Sequence, residues 1–84
     1  MEKNELIITI SGRSMSGKSR ITYLLKKFLR EQGFEVKFNG NLDHPTESHF
    51  DRCMCKNFDE AMEKIKETSK ITLNEKQLAL NFKE

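Results

Sequence analysis

Two kinds of spacing alternate along this chain. Leu6 to Ile10, "LIITI", is short, β-branched and apolar on both faces, the pattern of a buried parallel strand. From Lys18 the period lengthens. Ile21, Leu24, Leu25, Phe28 and Leu29 follow the i, i+3, i+4, i+7, i+8 spacing of an amphipathic helix, and Lys26, Lys27 and Arg30 put positive charge in its final turns. Gly33 supplies the left-handed residue that stops it. "FEVKF", Phe34 to Phe38, returns to alternation and predicts a second, half-exposed strand. From Asn39 to Lys56, a stretch with Gly40, Asp43 and Pro45, no period holds, and it reads as a long loop. Asn57 then offers an N-cap with Glu60 at the capping-box position, and Phe58, Ala61, Met62 and Ile65 form one apolar stripe of a helix ending near Thr68. Lys70 to Leu73 reads as a third strand. Leu78, Leu80 and Phe82 alternate too, so the tail is one bent strand or a hairpin through Asn74–Lys76, a better match than a terminal helix.

The order β–α–β–α–β predicts a minimal three-layer α/β domain over residues 1–84, with a mostly parallel three-stranded sheet and an optional C-terminal edge strand. Eighty-four residues leave no room for a second core. A composition of 36% hydrophobic and 33% charged residues describes a folded, well-solvated domain. The net charge of +2 is too small to signal nucleic acid, and Lys26, Lys27 and Arg30 lack interleaved aromatics, so they read as a solvated helix face. The longest apolar run, "LIITI", falls far short of the ~20 residues that cross a membrane. "MEKNE" leads into no secretory core, and Cys53 and Cys55 suit a reducing interior, which makes the cytoplasm the expected compartment. Open sheet edges predict that copies of the chain associate.

Between the first strand and the first helix lies "SGRSMSGKSR", Ser11 to Arg20, which spells G-x-x-x-x-G-K-[ST] from Gly12 to Ser19. A random chain of this length matches that pattern roughly once in 300, and a flanking strand and helix make an accident rarer still. Gly12 allows a sharp turn out of the strand, and Gly17 lets the backbone approach a ligand with no Cβ in the way. Amides of the helix's first turn join those of the loop in one anion-binding cup. The candidate phosphate-binding residues are therefore Gly12, Arg13, Ser14, Met15, Ser16, Gly17, Lys18, Ser19 and Arg20. Lys18 reaches the outer phosphates, and the Ser19 hydroxyl ligates Mg²⁺.

Leu6 to Phe38, with "SGRSMSGKS" at its centre, resembles the first third of a P-loop NTPase and is most similar to the kinase branch of that superfamily. The resemblance implies strand order 2-3-1, binding of ATP or GTP with Mg²⁺, and phosphoryl transfer of a kinase or NTPase type. Arg20 stands where that family often carries Thr. The family's second-strand carboxylate has its counterpart at Glu75 in "ITLNE", and Asp43 in "NLDHP" matches an acceptor-binding or base position, although turn chemistry accounts for Asp43 equally well. Arg52 is the internal stand-in for the family's lid arginine. In outline the chain also resembles small accessory proteins of bacteriophages, which implies an alternative: a non-catalytic scaffold that docks on a partner protein. His44, His49, Cys53 and Cys55 could compose a zinc shell, but C-x-C is tighter than the usual knuckle, and the four read as ordinary loop residues.

Overall fold

The computed structural model describes residues 4–13, 16–40 and 44–76. Among these residues the regular elements are helices: α1 (Lys18–Glu31), α2 (Glu47–Cys55) and α3 (Phe58–Thr68). No strand forms among them, so the three-stranded parallel sheet of order 2-3-1, and with it the α/β class, is overturned in favour of a small helical domain. Leu78, Leu80 and Phe82, and with them the optional edge strand, lie outside the described residues.

Both helices read from periodicity are present. α1 ends in the expected left-handed glycine: Gly33 has φ +96, its amide donates to the Arg30 carbonyl at 3.0 Å, and the Phe34 amide reaches back to Leu29 at 3.0 Å. That pair of bonds satisfies the last carbonyls of the helix. α3 starts after Asn57 as expected, but Asn57 makes no side-chain cap. Its backbone is left-handed, φ +49, because Lys56 and Asn57 are all that join α2 to α3, and Asn tolerates that turn.

α2 occupies part of the stretch expected to be a loop. The Thr46 hydroxyl accepts the His49 amide at 3.2 Å, Glu47 sits in the first turn and Arg52 in the last, as helix termini favour. Phe50 and Met54, one turn apart, give the helix its buried contacts.

These contacts also explain the missing sheet. The core consists of Tyr23 from α1 with Phe50 and Met54 from α2, flanked by Phe38, Cys53 and Phe58. Phe38 lies on Phe50 with ring centroids 4.4 Å apart, and the Val36 carbonyl accepts from Arg30 at 2.8 Å. The 34–38 segment is thus laid against the helices and pairs with no strand among the described residues. Short segments such as Leu6–Ile10 and Lys70–Leu73 form no ladder among the described residues.

The face that α1 buries also departs from the sequence pattern. Leu24 and Phe28, in the centre of its apolar stripe, are exposed, whereas Tyr23 and Lys26 are buried. Lys26, expected on a solvated face, is only 5% exposed. Its ammonium donates to Glu47 and Asp51 of α2, each at 2.7 Å, and stands 5.9–6.0 Å from the ring centroids of Tyr23, Phe38 and Phe50. Arg30 adds a second cation on Glu47.

The cluster carries its own pH dependence. The Arg30 and Lys26 hydrogen bonds hold the Glu47 carboxyl down to about 2, from an ordinary 4.5. Burial pulls the Lys26 ammonium downward, but hydrogen bonds and attraction from Asp51 and Glu47 outweigh it, leaving its pKa raised. A depressed carboxyl adds stability that is complete above its unfolded pKa and lost as pH falls through its folded one. Thermal melts should therefore show stability declining between about pH 4.5 and 2, and Glu47→Gln should flatten that decline while lowering the melting temperature at neutral pH. Lys26→Ala should cost about 2–4 kcal/mol in urea unfolding, since it takes the cation from Asp51, leaves Glu47 to Arg30 alone and empties the aromatic box. A loss under 1 kcal/mol, the range typical of surface pairs, would show the cluster to be a surface ornament.

Candidate functional site

The Gly12–Arg20 stretch is the junction at which α1 begins and α3 ends. Gly17 precedes α1 in the left-handed conformation, φ +93, with no side-chain cap and no acidic residue in the first turn. The first helical bond runs from the Ile21 amide to the Gly17 carbonyl at 3.0 Å. The amides of Gly17, Lys18, Ser19 and Arg20 have no acceptor among the described residues. On the approach, the Ser16 amide donates to the Arg13 carbonyl at 3.2 Å. Ser14 and Met15 themselves lie outside the described residues.

Two glycines lie in close contacts here, and at Gly17 the backbone also requires one. A Cβ on Gly12 would meet the Ser16 hydroxyl at 2.8 Å, so the start and end of the loop are in close approach. A Cβ on Gly17 would fall 2.6 Å from the Ile65 Cδ1 of α3, in a backbone region that side chains avoid. The Ser69 hydroxyl donates to the Ser16 carbonyl at 2.9 Å, tying the exit of α3 to the same loop. The C-terminal end of α3 carries the opposite dipole sign, so part of the positive field of α1 is offset within the fold, and the ammonium of Lys18 must supply net charge for an anion.

The proposed site residues do not all converge. Gly12, Arg13, Ser16, Gly17, Lys18 and Ser19 are contiguous around the turn and the helix start. Arg20 is withdrawn from it: its guanidinium donates to the Met54 carbonyl at 2.7 Å and the Lys56 carbonyl at 2.6 Å, capping the C-terminus of α2. The last carbonyls of a helix lack intrahelical partners, and Arg20 Nη1 satisfies those of Met54 and of Lys56, the C-cap. Glu75 is exposed and makes no hydrogen bond or ion pair with the described residues; Asp43 lies outside them.

Elsewhere, an open cleft of about 350 Å³ is lined by His49, Arg52, Cys53, Cys55 and Lys56. His49 Nε2 stands 3.7 Å from Cys53 Sγ, one helical turn away, whereas the Cys55 thiol donates to the Arg52 carbonyl at 3.5 Å. Among the described residues no group of three His, Cys, Asp or Glu side chains converges to hold a metal ion. Arg52 lines this cleft and is not brought to the loop by any bond among the described residues.

The role of Arg20 is invisible in the sequence because it depends on α2, which sequence reasoning took for loop. Only the Pro45–Thr46–Glu47 signal, a breaker followed by an N-cap and an acidic first turn, announces that helix. Neither a family model, a curated protein nor a solved structure matches this chain.

Gly17→Ala should destabilise the protein by about 1–3 kcal/mol through backbone strain and the clash with Ile65. In an Ile65→Ala background the same substitution should cost about 1 kcal/mol, the strain alone. Equal costs in the two backgrounds, read by urea denaturation, would show that α3 does not press on this glycine.

Proposed function

We propose that this chain binds the polyphosphate of a nucleoside triphosphate, ATP or GTP, at the turn from Gly12 to Ser19. The observation that carries the reading is the bare start of α1: a left-handed Gly17, no capping side chain, no acidic first turn, and four successive amides without an acceptor among the described residues. Such an end attracts anions through its N–H groups and its dipole. Lys18 adds a full charge at the first helical position, and Arg13 a second one within the turn. The triphosphate length, rather than a single phosphate, suits a loop whose polar groups stretch from residue 12 to residue 19.

The residues fit Mg²⁺ only in company with the nucleotide. The Ser19 hydroxyl is the one oxygen ligand the motif offers, so the phosphates and water would complete the shell, as Mg²⁺ commonly requires. Kinase-like or NTP-hydrolysing transfer would further need a carboxylate near the outer phosphate, the part assigned to Asp43 or Glu75. Nucleotide binding and the free thiols of Cys53 and Cys55 suit a cytoplasmic setting. For the described residues, no helix is long and apolar enough to cross a membrane.

A specific observation favours a second reading, a scaffold that docks on a protein partner: Leu6, Ile7, Ile8, Ile71 and Leu73 are exposed in non-helical segments on either side of the loop. Such apolar surface is characteristic of interaction sites.

Calorimetric titration separates the two. ATP–Mg²⁺ and tripolyphosphate should bind, orthophosphate should bind at least tenfold more weakly, and Lys18→Ala should lower affinity about tenfold or more, the loss expected for a charge-assisted phosphate contact. No heat with millimolar ATP or tripolyphosphate would sink the nucleotide reading and leave the scaffold.

A further inference from the structure

Two stretches of this chain look like strands and have nothing to pair with. Leu6, Ile7 and Ile8 are 89%, 73% and 63% exposed, and Ile71 and Leu73 are 60% and 87% exposed. Neither stretch is helical or makes a backbone hydrogen bond with the described residues. Ser69, which precedes the second stretch, is bonded to the Ser16 carbonyl, and Gly12, four residues after the first, lies against the same Ser16. Unpaired β-branched segments of this kind are templates for a strand from another chain.

We propose that the two stretches pair with each other between two copies of this chain. Residues 5–8 of one copy lie parallel to residues 70–73 of the other, and the arrangement is reciprocal. The register follows from charge and alternation. In this alignment Glu5 faces Lys70, Leu6 faces Ile71, Ile7 faces Thr72 and Ile8 faces Leu73, so the one charged pair is of opposite sign and apolar side chains meet on one face. A slip by one residue sets apolar positions against polar ones. Antiparallel, the register over 5–10 and 70–75 puts Glu5 against Glu75 and Ile10 against Lys70, and the register that sets Leu6 against Leu73 and Ile8 against Ile71 puts Glu5 against Asn74 and Lys70 against Thr9, so the Glu5–Lys70 pair is what selects the parallel arrangement. Pairing 70–75 with its own copy can match Lys70 to Glu75 only by setting Ile71 against Asn74. Pairing 6–10 with its own copy about Ile8 leaves Ile71 and Leu73 without cover.

Because each copy contributes both segments, the contact is isologous and closes at two chains. Glu5 and Lys70 are both exposed and make no ion pair with the described residues, so each is available to the other copy. Each protomer keeps its three helices; the ladder exists only between chains. The surface is distinct from the amides proposed for phosphate.

Sedimentation equilibrium of the full chain, with light scattering after size exclusion, tests this. The expected result is a concentration-dependent dimer at physiological salt. Glu5→Lys and Lys70→Glu should each weaken it about tenfold, since two charged pairs turn repulsive per dimer, and the double variant E5K/K70E should restore it. Leu73→Asp should abolish it. The three altered positions, Glu5, Lys70 and Leu73, are all exposed, and an unchanged helical circular dichroism spectrum verifies that the fold persists. A monomer at every concentration would overturn the proposal, whether the segments then pair within one chain or serve an unrelated protein. A dimer indifferent to both single changes, or one that the double variant fails to restore, would overturn it equally.

Discussion

An ammonium group enclosed by three aromatic rings and two carboxylates decides how this chain folds. Lys26 joins α1 to α2 through Glu47 and Asp51, and its stem fills the space between Tyr23, Phe38 and Phe50. Withdrawing a charge from water costs several kcal/mol unless it is paired and bonded, so the burial of Lys26 is tolerable only with both acids in place. That requirement fixes the rotation of α1 about its axis. Facing Lys26 inward turns Leu24 and Phe28 outward, although the apolar stripe alone would have pointed them to a core.

The helices α1 and α3 are legible in the sequence to within a residue at either end, because their stops and starts are local: Gly33 after α1, Asn57 before α3. The remaining elements depend on pairing at a distance. "LIITI", "FEVKF" and "KITL" each carry strand propensity, but a strand needs a neighbour, and none of the three pairs with another among the described residues, while Phe38 packs on Phe50. α2 was hidden for the opposite reason. It has only Phe50 and Met54 as large apolar residues, too few to register a period, and its stability comes from contacts made by α1.

The candidate site divides along the same line. A glycine at the mouth of α1 and the place of Lys18 and Ser19 in its first turn follow from the spacing of the motif. The fate of Arg20, and the press of Ile65 on Gly17, follow from α2 and α3 and were not written in the spacing. The loop also lacks the strand that was to lead into it, so its shape is maintained by α3: Ile65 against Gly17, and Ser69 on the Ser16 carbonyl.

Arg20 adjoins the motif in sequence yet serves another helix. Its guanidinium is the terminal cap of α2, and α2 in turn bears both acids that hold Lys26. An anion that drew this side chain toward the loop would strip two carbonyls of their donor and loosen the helix on which the interior charge relies. The residue is thus a tether: a single nitrogen, Nη1, serves both carbonyls, so one side chain of α1 carries the end of the helix on which the interior charge relies.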